Sequence, residues 1–192
     1  MDIRTDILLT QKTFRILLDA MSHPGNIYRL GETICRGNGR YLMTILSTLL
    51  DGEVSFHVIG GNANQIESKV IQLTGALPTG IEAADFVIDL SGKGEGKLLK
   101  AQRGILEYPD KGATLISLIE SFSTRDASGV TLRLTGPGIK NRRSVRIVGV
   151  SRALFQNLKE INSEFPLGVD AMLVGGRGQI MCIPRSTNIE VI

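Results

Sequence analysis

Apolar residues recur at every third or fourth position in residues 11–21, which is the spacing of one face of an α-helix. The predicted buried face consists of Phe14, Leu17, Leu18 and Met21. The sequence Ser-His-Pro-Gly that follows ends this helix, because proline lacks the N–H group that a helix interior needs. Residues 40–50 form a second predicted helix that is apolar on nearly all sides, which is typical of a helix at the centre of a protein or at a subunit interface.

Three further segments have helical spacing. They are residues 62–73, residues 95–106, and a segment with Leu154, Phe155, Leu158 and Ile161 on one face. Ser151 is a suitable N-cap for the last of these, since a serine hydroxyl accepts a hydrogen bond from a free backbone N–H group of the first turn.

Short apolar runs between turn-forming residues predict the strands. The predicted strands are residues 26–30, 54–59, 85–90, 113–120, 130–135, 145–150, 170–174 and 179–183. Residues 175–178 join the last two as an antiparallel hairpin, and the order Pro-Asp-Lys-Gly in residues 109–112 predicts a turn.

Because helices and strands alternate through the first two thirds of the chain, we predict an α/β fold with three layers, in which helices flank a β-sheet. The closing hairpin makes that sheet mixed. No internal repeat, low-complexity tract or linker interrupts the pattern, so we expect residues 1–192 to form one domain.

Composition narrows the class of protein. The chain has 192 residues, of which 42% are hydrophobic and 21% charged, values typical of a globular domain rather than a disordered chain. The net charge of +3 is small and its Lys and Arg residues are dispersed, which argues against nucleic acid as a partner. A mean hydropathy of +0.10 is high for a soluble monomer, yet no apolar run approaches the roughly 18 residues of a membrane span. The extra apolar residues therefore belong in the core or in a subunit interface.

The compartment follows from the N-terminus and the two cysteines. The apolar run at residues 7–9 is too short for a signal peptide, and we expect a cytoplasmic protein. Cys35 and Cys182 form no CxxC or CxxH pair, so we expect free thiols in a reducing compartment. Neither histidine, His23 or His57, lies near a cysteine, so no metal site is expected.

Glycine-rich segments invite comparison with phosphate-binding loops. In residues 91–97 only three residues separate Gly92 from Gly96, and Leu98 follows Lys97 where a Walker A motif has Ser or Thr. Residues 37–39 lack the third glycine of a dinucleotide fingerprint. The sequence also has no Gly-x-Ser-x-Gly motif, and neither histidine lies beside a nucleophile. The absence of a catalytic set favours a binding or scaffolding role.

Three loops contain candidate functional residues. Residues 132–139 run from a strand into Gly-Pro-Gly, where turned backbone N–H groups and an outward-pointing arginine suit an anion, although a tight structural corner explains the same pattern. Residues 165–170 precede the closing hairpin and residues 184–188 follow it, so both loops lie at the same end. A structural Asp170–Arg185 pair is the simpler interpretation, and a small-ligand or subunit-docking site is the alternative. The candidate binding residues are Arg133, Gly136, Gly138, Phe165, Gly168, Asp170, Arg185, Ser186 and Thr187.

Four segments in order along the chain resemble the PhnH family, the H subunit of the bacterial carbon–phosphorus lyase system. They are residues 13–25 (TFRILLDAMSHPG), 132–139 (LRLTGPGI), 165–170 (FPLGVD) and 183–191 (IPRSTNIEV). Together they span nearly the whole chain, and the combination is more specific than any one of them.

The resemblance implies a fold similar to the pyridoxal-phosphate-dependent aspartate aminotransferase class, without the cofactor. A pyridoxal enzyme needs a buried lysine for its Schiff base. Lys111 lies in a predicted turn and Lys93, Lys97 and Lys100 lie in a polar segment, so Lys140 is the only lysine that follows a strand in a suitable loop. We expect no cofactor.

The resemblance also implies a role and partners. By this resemblance, we expect the chain to form a homodimer that joins the G, I and J subunits in a cytoplasmic complex and functions with the L subunit. That system transfers a phosphonate to C1′ of the ribose of ATP, which releases adenine and forms a ribose 1-phosphonate 5-triphosphate. The implied role of this chain is a required, non-catalytic subunit of that transferase, whose chemistry belongs mainly to the I subunit. The alternatives are a free-standing pyridoxal-phosphate enzyme and an anion-binding protein that forms a homodimer with no other partner.

Overall fold

The computed structural model describes residues 3–123 and 128–192. The helices are α1 (Ile3–Ser22), α2 (Arg40–Leu49), α3 (Ala63–Thr74) and α4 (Arg152–Ile161). Helix α1 begins earlier than predicted, at Ile3 rather than at residue 11. The predicted cap of α4 is confirmed, since the Ser151 hydroxyl accepts a hydrogen bond from the Leu154 N–H group at 3.2 Å. No helix in these ranges is both long and apolar enough to cross a bilayer.

The strands in the first half of the chain are β1 (Tyr28–Arg29), β2 (Ser55–Ile59), β3 (Leu77–Pro78), β4 (Phe86–Asp89), β5 (Arg103–Ile105) and β6 (Tyr108–Gly112). Those in the second half are β7 (Thr114–Ile119), β8 (Ser121–Phe122), β9 (Val130–Thr135), β10 (Arg143–Val148), β11 (Asp170–Gly175), β12 (Gln179–Ile183) and β13 (Asn188–Val191). Strands β3, β5, β6, β8 and β13 were not predicted, and the closing β11–β12 hairpin is confirmed.

A seven-stranded mixed sheet with the order β1-β12-β11-β7-β4-β2-β3 runs through the molecule. Strands β11, β7, β4, β2 and β3 are parallel to one another. At one edge β12 pairs antiparallel with β11, and β1 pairs antiparallel with β12. Strands β9 and β10, which the sequence placed with the others, instead form a separate antiparallel sheet with the order β13-β9-β10-β8.

Side chains of the large sheet alternate between two apolar cores. On β7, Leu115 packs in a core with α4 and the small sheet, whereas Ile116 packs in a core with α1, α2 and α3. Helix α2 belongs to the second core, so its apolar character reflects burial within this chain. The predicted mixed sheet flanked by helices is confirmed, and one of its outer layers combines a helix with a second sheet.

The predicted helix at residues 95–106 is wrong. Two short 3-10 turns (Gly94–Gly96 and Leu98–Lys100) occupy its first half, and β5 begins at Arg103. Gly94, Gly96 and Gly104 all have positive φ angles, which a right-handed helix does not contain. At Gly104 a side chain is also excluded, because its Cβ would lie 2.9 Å from the Pro109 carbonyl oxygen.

The predicted turn at residues 109–112 is also wrong, because these residues belong to β6. Among the residues that the structure describes, β5 and β6 pair only with each other, and their hairpin turns at residues 106–107. We call residues 103–112 the hairpin arm. The arm forms because two short strands pair with each other, and the turn-forming residues at 109–112 gave no sign of that pairing.

Candidate functional site

Asp170 and Arg185 form the ion pair that the closing hairpin predicted. The Arg185 Nε and Nη2 groups donate to Asp170 Oδ2 at 3.0 and 2.6 Å, and the Arg185 backbone N–H group donates to Oδ1 at 2.8 Å. The Asp170 side chain is 24% exposed and the Arg185 side chain 14% exposed, so water screens the charges of this pair weakly. Asp170 begins β11 and Arg185 follows β12, which places both residues at one end of the hairpin.

The same arginine attaches the hairpin arm to the body of the protein. Its Nη1 and Nη2 groups donate to the carbonyl oxygens of Pro109 and Gly112, both in β6. The Gly168 N–H group donates to the Arg103 carbonyl oxygen in β5 at 2.9 Å, so a second loop also contacts the arm. Arg185 is therefore occupied by one carboxylate and two carbonyl groups at the base of the arm.

Five of the predicted residues line one shallow crevice of about 410 Å³. They are Gly136, Phe165, Arg185, Ser186 and Thr187. The Thr187 hydroxyl is buried and finds no hydrogen-bond partner among the described residues. Asp170 and Gly168 lie behind this crevice at the base of the arm.

The other two predicted residues lie elsewhere. Arg133, on the outer face of the small sheet, forms an exposed ion pair with Glu190 at 2.8 Å. Gly138 packs against the end of α1, where a Cβ atom would meet Pro24 at 2.8 Å. Because carboxylates pair with both Arg133 and Arg185, neither is a free cation for an anionic ligand, and these contacts agree with the simpler interpretation of a structural Asp170–Arg185 pair.

The sequence analysis missed the apolar tip of the hairpin arm. Ile105, Leu106 and Tyr108 are all exposed there, and Leu106 is 72% exposed. Phe165, from the loop that contacts the base of the arm, is exposed as well. Four glycines within residues 92–104 were the available signal against a helix in this segment.

Helix α1 has a second exposed apolar surface, which we call the α1 apolar face. It consists of Ile7, Leu8, Phe14 and Leu18. The prediction that Phe14 and Leu18 face the core is wrong, because Leu9, Thr13, Leu17 and Ala20 occupy the buried side. A groove of about 660 Å³ lies between this face and Thr48 of α2.

Asp89 is a buried carboxylate that the sequence analysis did not single out. It accepts hydrogen bonds from the Ser91 N–H and hydroxyl groups at 2.9 and 2.7 Å, from the Gly94 N–H group at 3.0 Å, and from the Ser117 hydroxyl at 3.2 Å. The glycine-rich segment 91–94 therefore wraps around a protein carboxylate, which occupies the N–H groups that a phosphate would need.

The histidines and cysteines make local contacts. His57 Nδ1 lies 2.8 Å from the Thr79 carbonyl oxygen, and His23 Nδ1 lies 3.0 Å from that of Asp19. Cys182 is buried, and desolvation together with the negative charge of Asp170 raises the pKa of its thiol to about 12. Cys35 is exposed, and both thiols are free. Within residues 3–123 and 128–192 no group of three His, Cys, Asp or Glu residues is arranged to bind a metal.

We expect the two thiols of the folded protein to react very differently. At about pH 8 a thiol-specific disulfide reagent should modify Cys35 rapidly and leave Cys182 unmodified, because only the thiolate is nucleophilic. Absorbance of the released thiol would measure the reaction, and Cys35→Ser should remove the rapid phase. Rapid modification of Cys182 without denaturant would contradict the burial described here.

Comparison with known proteins finds similarity over nearly the whole chain. Residues 3–190 match the family model described as bacterial phosphonate metabolism protein (PhnH). The chain is 32% identical over 183 residues to a protein of Stutzerimonas stutzeri named putative C-P lyase subunit protein HtxG. The match covers 94% of this chain and 86% of that protein.

Proposed function

The chain belongs to the PhnH family of bacterial phosphonate metabolism proteins, and from that premise we propose that it is a non-catalytic subunit of a cytoplasmic carbon–phosphorus lyase complex. The name of the Stutzerimonas relative supports the subunit assignment. In this proposal the complex transfers an alkylphosphonate to C1′ of the ribose of ATP, which releases adenine and forms a ribose 1-phosphonate 5-triphosphate. This chain supports that reaction by assembling with the subunits that perform it.

The observation that carries the proposal is the pair of exposed apolar surfaces, the hairpin arm tip and the α1 apolar face. Exposed apolar clusters of this kind mark sites of protein–protein interaction. Four apolar side chains of α1 are exposed, three more are exposed at the arm tip, and Phe165 is exposed in the loop that contacts the base of the arm. These exposed side chains agree with the expectation that part of the high apolar content lies at a subunit interface.

The chemistry of the described residues supports a non-catalytic role. Both histidines contact backbone carbonyl oxygens, and burial keeps the Cys182 thiol protonated near neutral pH. Arg185 and Asp170 neutralise each other, which suits a structural pair. The crevice at Thr187 supplies hydroxyl and amide groups but no nucleophile activated by a neighbouring base.

Two separate apolar surfaces agree with the proposed partners. We place a homodimer contact and contacts with the G, I and J subunits on them, with the L subunit acting with the assembled complex. An isologous homodimer uses one surface twice, which leaves the other surface available to a different subunit.

A pyridoxal-phosphate enzyme does not fit these residues, although the family resemblance includes an aminotransferase-like fold. All eight lysines lie in the described ranges, and every one of them is exposed. A Schiff-base lysine has to lie within a cofactor pocket. Lys140, the best candidate from the sequence, lies in an exposed loop after β9.

Co-purification tests the proposed function. A tagged form of this chain, co-expressed with the G, I and J subunits of its own operon, should elute as one stable particle whose mass, measured by light scattering, includes all four subunits. The chain expressed alone should give the mass of a homodimer. Recovery of only the homodimer from the co-expression, even at low salt, would contradict the assembly role.

A further inference from the structure

The crevice of about 410 Å³ contains a hydroxyl group that the fold does not use. Thr187 is the only buried residue of its lining, with 6% of its surface exposed, and the residues around it are half-buried or exposed. The Thr187 hydroxyl has no hydrogen-bond partner within residues 3–123 and 128–192. Because a buried hydroxyl without a partner lowers stability, its presence at the bottom of an open crevice points to a partner outside this chain.

Gly136 keeps space open beside this threonine. Its φ angle is +132°, and a Cβ atom there would lie 3.0 Å from the Ser186 carbonyl oxygen and 3.4 Å from Cα of Thr187. A side chain at position 136 would therefore occupy part of the crevice next to Thr187. The glycine leaves that space for an incoming group.

The lining of the crevice supplies no free charge. Among the described residues that form it, Arg185 is the only one with a titratable side chain. Its guanidinium group already donates to the Asp170 carboxylate and to the carbonyl oxygens of Pro109 and Gly112. An ionic group that entered the crevice would lose its water without gaining an opposite charge, so the crevice suits an uncharged group.

The rim of the crevice is apolar and open. Pro137 and Phe165 both line it and are both exposed, and the exposed Asn188 adds an amide group. A pocket for a small molecule buries roughly 70–90% of its ligand, which a shallow crevice does not do. A protein segment is the better match, because the surface on either side of the segment covers the exposed rim.

The position of the crevice indicates which protein supplies that segment. Arg185 lines the crevice and bonds to β6, so the crevice is continuous with the base of the hairpin arm. An isologous contact between two copies would place the same concave surface against itself and leave both crevices unfilled. The occupant is therefore a segment of a different subunit, on the side of the molecule from which the arm extends.

We propose that the crevice receives an uncharged segment of a partner subunit. An apolar side chain of that segment lies against Pro137 and Phe165, and a neighbouring backbone peptide group bonds to the Thr187 hydroxyl. This inference rests on the proposed assembly function and adds to it the site and the chemistry of one contact. The exposed apolar surfaces contribute area to assembly, whereas a buried hydroxyl group selects a partner, because only a correctly placed polar group satisfies it.

Thr187→Val tests the proposal, because valine has nearly the same shape and lacks the hydroxyl group. The purified variant should unfold at a urea concentration equal to or higher than that of the parent chain, since it loses a buried polar group without a partner. Its affinity for the co-expressed G, I and J subunits should nevertheless fall by about tenfold, the effect of one lost hydrogen bond whose other member stays buried. Co-purification over a range of concentrations would measure the affinity.

Thr13 provides the matched control. Its hydroxyl is also buried without a partner among the described residues, but Thr13 lies on the core side of α1 and does not line the crevice. Thr13→Val should likewise leave the urea midpoint equal or higher, and it should change co-assembly by less than about twofold.

A cysteine at the rim shows whether the crevice is covered in the complex. In a Cys35→Ser background, Asn188→Cys should react rapidly with a thiol-specific disulfide reagent in the isolated chain and at least about tenfold more slowly in the assembled complex, because the partner excludes the reagent. Leu77→Cys in the same background should react at the same rate in both states, since Leu77 lies at the far edge of the large sheet.

The possible failures of the crevice proposal and of the assembly function are distinguishable. Equal co-assembly of Thr187→Val and Thr13→Val, or equal reactivity of the cysteine at position 188 in both states, would overturn the crevice proposal and leave the assembly function intact. A lower urea midpoint for Thr187→Val would place the partner of the hydroxyl within this chain and overturn the proposal as well. Protection of position 188 in the homodimer alone would make a second copy the occupant and overturn the partner assignment. Failure of the parent chain itself to co-assemble would contradict the proposed function, and the crevice proposal with it.

Discussion

Replacement of Arg185 by alanine is expected to lower the free energy of unfolding by about 3 kcal/mol, because it removes one partner of a largely buried ion pair. Asp170 would keep its hydrogen bond from the backbone N–H group of residue 185 and lose the two guanidinium donors at Oδ2. The Pro109 and Gly112 carbonyl oxygens would lose their donors at the same time. Urea unfolding followed by circular dichroism would measure the change.

Two other variants test whether the loss of unfolding free energy comes from the buried hydrogen bonds of the Arg185 guanidinium group. Arg133→Ala removes the exposed ion pair with Glu190 and should cost less than about 1 kcal/mol, because exposed pairs are screened by water. Arg185→Lys should recover only part of the stability, since an ammonium group cannot donate to Asp170 and both carbonyl groups in the same geometry. Equal losses in Arg133→Ala and Arg185→Ala would contradict the structural role of the Asp170–Arg185 pair.

Leu106→Glu at the tip of the hairpin arm is expected to weaken co-assembly with the G, I and J subunits by roughly thirtyfold, the effect of losing about 2 kcal/mol at an interface hot spot. Leu106 is 72% exposed in the isolated chain, so the substitution should leave its unfolding free energy nearly unchanged. In the complex it would place a carboxylate against an apolar surface, and burial of an unpaired charge is unfavourable. The yield of co-purified subunits over a range of concentrations would measure the effect.

Leu77 offers a matched control for this experiment. It is also an exposed leucine, but it lies in β3 at the far edge of the large sheet. Leu77→Glu adds the same charge and should leave assembly intact, whereas Phe14→Glu on the α1 apolar face should weaken either the homodimer or the complex. If Leu106→Glu and Leu77→Glu co-assemble equally well, the arm tip is not a docking surface.

Much of the secondary structure was predictable because its signals are local. Ser151 and the apolar spacing after it predict α4, and a serine cap needs only the first turn of its own helix. The two strands of the closing hairpin are consecutive in sequence and joined by a short glycine-rich turn. Leu115 and Ile116 illustrate the limit, since the apolar run of β7 predicts burial on both faces but not which layer covers each face.

Two predictions that bear on function, the buried face of α1 and the helix at residues 95–106, were wrong because tertiary contacts decide both features. Phe14 and Leu18 match the spacing of a buried helical face, yet α1 buries a neighbouring stripe and leaves these side chains exposed. Spacing within one helix identifies an apolar face but not what covers it. The segment before β6 was likewise predicted as a helix, because the hairpin arm depends on pairing between β5 and β6 and on glycines with positive φ angles.

The candidate site was predictable in part. Sequence order alone brings Asp170 and Arg185 to the same end of one hairpin, and their pairing follows from opposite charge. The attachment of Arg185 to Pro109, which is 76 positions away, did not follow, nor did the pairing of Arg133 with Glu190 across 57 positions. Because of those contacts, Asp170 and Arg185 form the base of the hairpin arm, and carboxylates pair with both Arg133 and Arg185.

The sequence by itself therefore determined the α/β class, most of the helices and strands, the hairpin with its Asp–Arg pair, and membership of a family through segments spread over the whole chain. The tertiary structure decided which strands form the second sheet, which apolar residues face solvent, and which acidic residues pair with Arg133 and Arg185. The physical reason is that helix spacing, strand alternation and caps depend on neighbours within a few positions. Exposure and charge pairing depend on residues that are distant in sequence, and they leave no periodic trace in the chain.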